Sequence, residues 1–242
     1  MVVYILKQDD RVGSLNRLTA SFGFAALGEQ VVEYDDAAFE TLPLERGDIV
    51  VGGIGYVRRA CERMGVDVPH LEPIPEPLVP FAGRKLWRTS LADVRNRVSE
   101  GETLFMKPAP DQPKLFTGVV LSGFRDLIAT AHLDDALVVD CAEPVQFVSE
   151  YRTFVMHGEV VGVRPYTGDS LLFPAADVIR DAISAFDQAP VAYSLDVGVT
   201  AEGRTLLVEI NDAYALGAYG LFPIVYAKFI AARWAELWAM AR

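Results

Sequence analysis

Apolar and polar positions along the chain change their period several times, and each change marks an element. Val2–Leu6 is a short apolar run with the character of a strand, and Gly13–Leu27 carries apolar residues at helical spacing. Val31–Tyr34 and Asp48–Val51 follow as short strands, and beyond Gly52-Gly53 the pattern turns helical through Tyr56–Met64. Strand and helix in alternation predict a small α/β unit built on a parallel sheet. Val68–Pro80 then holds five prolines, which are expected to bar helix and central strand and to place a domain boundary near residue 80.

The second unit, residues 81–242, is predicted to begin with a short helix from Leu91, capped by Thr89 or Ser90. The strand Thr103–Lys107 comes next. A proline-rich loop leads to a strand at Gly118–Leu121, a helix at Phe124–Ala131 and a strand at Leu137–Cys141. The remainder reads as two antiparallel hairpins separated by a helix at Ala175–Phe186 and closed by a C-terminal helix. In that last segment, Leu221–Met240, Lys228, Arg233 and Glu236 interrupt the apolar run at spacings of an amphipathic surface helix, not of a membrane span.

Composition narrows the class. Hydrophobic residues at 51% and charged residues at 23% fit a folded globular chain. The net charge of −11 repels polyanions at long range and counts against general nucleic-acid binding, without excluding nucleotides that arrive with metal ions. Cys61 and Cys141 lie far apart in apolar surroundings and read as free thiols of a reducing cytoplasm, and MVVYILKQDD lacks the pattern of a secretory leader.

The sharpest chemical signal is the second hairpin, Tyr193–Thr200 and Arg204–Asn211, around Glu202-Gly203. A two-residue turn, or a four-residue loop in the same register, sets Asp196 opposite Glu209 and Ser194 opposite Asn211, all on one face. Two carboxylates in that relation repel, so the pattern calls for a cation between them. Loss of either charge should then leave the metal-free fold intact or slightly more stable. An all-oxygen set without histidine or cysteine points to Mg²⁺ or Mn²⁺. A solvated acidic hairpin face is the plainer explanation for a single carboxylate pair, and the addition of Asn211 tips the reading to a metal.

The first hairpin, Gln146–Val155 and Val160–Tyr166, turns at His157-Gly158. Glu150 and Arg152 share a face. A three-residue turn brings Arg164 to it, and a two-residue turn sends Arg164 to the other. Arginines clustered in a sheet ask for an anion or an acid among them, although an outward Glu–Arg ladder fits the same residues. Lys107, leaving an apolar strand at Pro108, suits a phosphate contact or a strand end reaching water. Other leads fail: Gly52-Gly53-Ile54-Gly55 lacks dinucleotide spacing, no Walker lysine motif is present, and the three histidines fall in no triad or zinc pattern.

In order, FMKP, VQFVSEYRTFVMHGEVVGVRPY and YSLDVGVTAEGRTLLVEIND resemble the ATP-grasp superfamily, in particular the subgroup named for two arginines and one lysine. The resemblance runs from about Arg84 to Tyr219, with the Asp…Glu-x-Asn pattern its most specific part. It implies an ATP-grasp fold, α/β (α+β), in residues 81–242 behind a small pre-grasp-like α/β domain in residues 1–80. It also implies that Lys107 contacts the α- and β-phosphates, that Asp140, Cys141, Ala142 and Glu143 form the hinge against adenine, and that Glu150 binds ribose. Asp196, Glu209 and Asn211 would hold the metals, and Arg152, Arg164 and Lys107 would be the namesakes. The chain departs from many relatives in the loop Pro108–Gly118, which has three prolines and one glycine, so that Lys114 or Thr117 would replace backbone contacts to the triphosphate.

The activity so implied is an ATP- and Mg²⁺-dependent ligation. A small-molecule or peptide carboxylate becomes an acyl phosphate, an amine attacks it, and Arg152 and Arg164 stabilise the charge that develops. The alternatives are an ATP-grasp enzyme acting on RNA ends and an ATP-binding regulator without turnover. The oligomeric state is left open, a homodimer included.

Overall fold

A computed structural model describes residues 1–7, 11–110 and 115–241, and the chain folds around three sheets. In the first, β1 (Val2–Leu6) lies between β2 (Gln30–Tyr34) and β3 (Ile49–Val51), all parallel. Helix α1 (Arg11–Ala26) connects β1 to β2, and α2 (Ile54–Arg63) follows β3. The order β2-β1-β3 means that the chain passes from β2 on one side of β1 to β3 on the other, and a crevice opens at the carboxyl ends of β1 and β3.

The proline-rich segment is less irregular than its composition suggests. A 3₁₀ turn at Glu76–Leu78 and the short helix α3 (Val79–Ala82) place Pro77 and Pro80 in first turns, where a missing N–H costs no helical hydrogen bond. The expectation that prolines bar helix there is therefore corrected. Upstream, the Pro73 carbonyl accepts from the Ile210 amide at 2.8 Å and covers an otherwise free strand edge.

The second sheet has the order β4-β7-β5-β6: β4 (Leu86–Ser90), β5 (Leu104–Pro108), β6 (Val119–Leu121) and β7 (Val138–Ala142). Strand β4 was not foreseen. Ser90, whose Oγ accepts from the Asp93 amide at 3.3 Å, caps α4 (Leu91–Ser99), and α5 (Phe124–Leu127) runs on into a 3₁₀ turn. Leu91, Val94 and Val98 bury one face of α4 against Leu104, Met106 and Val139.

The third sheet, β11-β10-β8-β9, is antiparallel: β8 (Phe147–Met156), β9 (Glu159–Gly168), β10 (Ala192–Thr200) and β11 (Thr205–Asp212). Helix α6 (Ala176–Ala185) covers one face through Ile179 and Ala182. Helix α7 (Pro223–Met240) joins the other face to the first sheet, since its Phe229, Ile230 and Trp234 pack with Phe154, Phe24 and Val3 in one core. Arg233 corrects the surface-helix reading of α7: it is 3% exposed and forks onto Asp212 at 2.6 and 2.8 Å. No helix of the described residues is long and apolar enough to cross a membrane. Both cysteines are buried and free, as expected.

Candidate functional site

Strands β8 and β10 are neighbours, and side-chain alternation divides their residues between two faces. Tyr151, Val155, Tyr193, Leu195 and Val197 bury under α6. The opposite face carries Glu150 and Arg152 from β8 and Ser194 and Asp196 from β10, with Arg152 directly across from Asp196.

Strand β11 adds Glu209 opposite Asp196 and Asn211 opposite Ser194, the pairing expected from the sequence. The turn differs from expectation. Thr200 and Arg204 close a three-residue loop, and near it the partners run one residue out of step until Val208 bulges and restores the register at Glu209. A bulge loosens nearby carbonyls, and Arg84 binds them: its Nη1 donates to Leu207 O at 2.7 Å and Ala82 O at 3.0 Å, and its Nη2 to Val208 O at 3.2 Å.

The first hairpin reaches the predicted convergence by another route. His157 (φ 53°) and Gly158 (φ 77°) form a two-residue turn, which alone would separate the arginines. Val161 then bulges out of the ladder, and the shifted register sets Arg164 directly opposite Arg152. A second bulge frees Tyr166, whose hydroxyl donates to Glu150 Oε2 at 2.7 Å.

The charges pair differently from the sequence-based picture of two bare carboxylates. Arg152 forks onto Asp196, Nε to Oδ1 at 2.8 Å and Nη2 to Oδ2 at 2.6 Å, with the residues 8% and 2% exposed. Lys107 Nζ bonds Glu209 Oε2 at 2.7 Å. Each carboxylate therefore already faces a cation, and the repulsion argument is corrected. Burial pushes the Asp196 carboxyl up against the pull of Arg152. Burial pushes Glu209 up as well, but Lys107, Asn211 and Arg152 together bring it below the usual carboxylate range. The Arg164 Nε is buried and has no hydrogen-bond partner among the described residues.

Between the second and third sheets lies a cleft of about 800 Å³. Lys107, Asp140, Cys141, Ala142, Glu143, Glu150 and Glu209 line it, with Phe105, Trp87 and Phe147 as apolar walls. Arg152, Arg164, Asp196 and Asn211 are not in that lining; they continue the sheet face past Glu150 and Glu209. Two of the residues expected to form the hinge are already engaged: Arg88 Nε binds Asp140 Oδ1 at 2.7 Å, and Glu143 exchanges bonds of 3.0 Å with the Lys85 backbone. Lys114 lies outside the described residues, and Thr117 is exposed. Arg84, Arg88, Trp87 and Tyr166 line the cleft without having been foreseen. All four fall within the resemblance from Arg84 to Tyr219, and Tyr166 closes the first hairpin, but no role was expected of any of them.

A second cavity of about 250 Å³ occupies the crevice of the first sheet. Leu6, Gly52, Gly53, Asn16 and Arg17 line one side of it, and Leu216 and Gly217, just past β11, the other.

For a divalent metal, the described residues offer no group of three histidines, cysteines or acids. Asn211 Nδ2 nonetheless donates to Asp196 Oδ2 at 3.3 Å and to Glu209 Oε1 at 3.4 Å, and besides that amide nitrogen the three residues supply only hard oxygen donors. That set fits Mg²⁺, which commonly takes one or two carboxylates and completes its shell with water and substrate phosphates.

Two antiparallel sheets closing on a cleft, with a lysine from one and an Asp–Glu–Asn set from the other, define an ATP-grasp fold. The chain belongs to the family described as ATP-grasp domain, R-2-K clade family 2, whose sequence profile matches residues 81–229. No curated protein sequence matches. Among solved structures, D-cycloserine synthetase DcsG is similar at TM-score 0.59 and 15% identity, over 97% of this chain and 100% of that one. A RimK domain ATP-grasp protein from Sphaerobacter thermophilus is similar at 0.57 and 15%, over 95% and 99%. D-alanine–D-alanine ligase from Bacillus anthracis is similar at 0.55 and 12%, over 100% and 97%.

Proposed function

We propose that the protein is an ATP-dependent ligase that activates a carboxylate as an acyl phosphate and passes the acyl group to an amine, releasing ADP and phosphate. The observation that carries this reading is the convergence of Arg152, Arg164, Asp196, Glu209 and Asn211 on one face of the third sheet, met from the second sheet by Lys107, beside a nucleotide-sized cleft. Family membership agrees with it, as do the names of two structural neighbours, a D-cycloserine synthetase and a D-alanine–D-alanine ligase.

In this reading the apolar cleft walls and the hinge Asp140–Glu143 hold adenine, and Glu150 binds ribose. Lys107 leaves Glu209 for the α- and β-phosphates as a point charge. Asp196, Glu209 and Asn211 hold Mg²⁺ or Mn²⁺, which supplies charge neutralisation to the phosphates when bound. A substrate carboxylate oxygen attacks the γ-phosphorus, the bond to the bridging oxygen breaks, and ADP departs with that electron pair. The amine nitrogen then attacks the acyl carbon and loses a proton, and phosphate leaves. In this reading Arg152, through Nη1, the guanidinium nitrogen not bonded to Asp196, and Arg164 would donate to the oxyanions that form.

No protein nucleophile is needed. Cys141, in the hinge, is buried and its thiol is pushed up to about 12, so it stays protonated. The crevice at Asn16 and Arg17 is the place for an acceptor or acyl substrate, reached along Gly217. An ADP-release screen with amino acids, dipeptides and RNA 5′ or 3′ ends tests the reading. Release that requires both a carboxylate and an amine supports it. Release with RNA ends alone moves the reaction to phosphate ends, and tight ATP binding with no release under any pairing makes the protein a regulator.

A further inference from the structure

Tyr219 stands in a backbone conformation that its residue type disfavours. Its φ is 47°, that of Gly220 is 78°, and the Leu221 amide donates to Ala218 O at 2.8 Å, which together make a tight turn with two left-handed central residues. Such turns select Asn-Gly or Asp-Gly, because asparagine and aspartate tolerate the left-handed region and a bulky aromatic does not. The surroundings leave the turn little choice. The Ala218 amide is held by Asn16 Oδ1 at 2.9 Å, and Leu221 seats on Gly162, where a Cβ would meet its Cδ1 at 2.4 Å.

The turn aims the Tyr219 ring at Arg152. The guanidinium carbon lies 4.2 Å from the ring centroid, and Tyr166 stands edge-on to Tyr219 with ring centroids 6.0 Å apart. Asp196 fixes the guanidinium along its Nε–Nη2 edge, and the aromatic face fixes its plane and keeps water from that side. With plane and edge both fixed, Nη1 can point in only a narrow range of directions. A strained residue that survives beside a reacting centre is a sign of function rather than of folding.

We infer that Tyr219 is a positioning residue: its ring locks the plane of the Arg152 guanidinium so that Nη1 is presented to the oxyanion of the substrate. The part played by Arg152 in turnover rests on the proposed function, whereas the locking of its side chain does not.

The test compares Tyr219→Asn, Tyr219→Phe and Tyr219→Leu in the full-length protein. Thermal melts report the strain, and the ¹⁵Nε–¹Hε resonance of Arg152 reports rotation about Nε–Cζ without any substrate. Tyr219→Asn should melt at the same or a higher temperature than wild type while Arg152 rotation quickens by roughly threefold or more, the lower range of what a lost cation–π contact allows. Tyr219→Phe should keep wild-type rotation, and Tyr219→Leu should lose it. Where the ADP-release screen yields a substrate, Tyr219→Asn should lower kcat with little change in the KM for ATP. A Tyr219→Asn protein that melts lower than wild type and keeps slow Arg152 rotation overturns the inference, as does a Leu variant that behaves like Phe. Altered rotation without any turnover in wild type or variants sinks the ligase reading and leaves this one standing.

Discussion

At the scale of single residues, the two carboxylates of the site are not equivalent. Asp196 and Arg152 form a buried fork, so removing the acid strands a guanidinium with no counter-ion. Asp196→Asn should therefore lose about 3–5 kcal/mol in urea unfolding, while replacing Asp196 and Arg152 together by leucine should recover most of it. This reverses the expectation that loss of either charge is neutral. Glu209 differs because Lys107, its partner, is 24% exposed and can turn to water, so Glu209→Gln should cost no more than about 1 kcal/mol. The pH dependence has a definite sign. Glu209 titrates below its ordinary 4.5 in the folded protein, so the folded state binds its proton less tightly than the unfolded state does. The resulting stabilisation is complete above the ordinary value and is lost as pH falls through the lowered one. Lys107→Met should be less stable than wild type near pH 7, and the gap should close on acidification below 4.5; a gap that persists in acid would show that the lysine acts by packing alone.

At the scale of elements, bulges decide what the sequence can and cannot disclose. The pairing of Asp196 with Glu209 was legible because period-two alternation around Glu202-Gly203 survives at the far end of the hairpin, yet the turn was misjudged by one residue and Val208 makes up the difference. Arg152 and Arg164 were legible only conditionally. Turn length alone predicts separation for the turn that forms, and the Val161 bulge has no side-chain signature that distinguishes it from a paired valine. Strand β4 was missed because Leu86–Ser90 is short and amphipathic, and its evidence is long-range: Arg88 pairs across to Asp140. Tyr219 was missed because Tyr-Gly is not a residue pair that announces a left-handed turn. The bulge at Val208 also makes a prediction. Arg84→Met should leave the Leu207 and Val208 carbonyls short of donors at a cost of about 1–3 kcal/mol and weaken the Asp196–Glu209 register. Cross-strand NOEs between β10 and β11 measure this, and an intact Asp196–Glu209 contact in a destabilised variant would show that Arg84 supports stability only.

At the scale of the whole molecule, the N-terminal unit is completed by the far end of the chain. Phe24 and Val3 share a core with Phe229, Ile230 and Trp234 of α7, and Gly23 packs so closely on Pro223 that a Cβ there would lie 2.1 Å from its carbonyl oxygen. Residues 1–80 expressed alone should show no cooperative thermal transition, since a small unit deprived of part of its core falls below the size that folds unaided. A cooperative melt of that fragment would mark it as an independent domain. The same union places the crevice of Asn16 and Arg17 beside the turn that carries Tyr219, whose ring in turn lies against Arg152. The central claim is that a carboxylate oxygen takes the γ-phosphoryl group beside Arg152 and Arg164, and an isotope measurement tests it most directly. The carboxylate identified by the ADP-release screen is labelled with ¹⁸O and turned over with ATP and the amine, and the released phosphate is analysed by mass spectrometry. Acyl-phosphate chemistry delivers one ¹⁸O atom from each substrate carboxylate into the phosphate, whereas phosphate that carries no label, or release of AMP and pyrophosphate instead of ADP, would contradict the account.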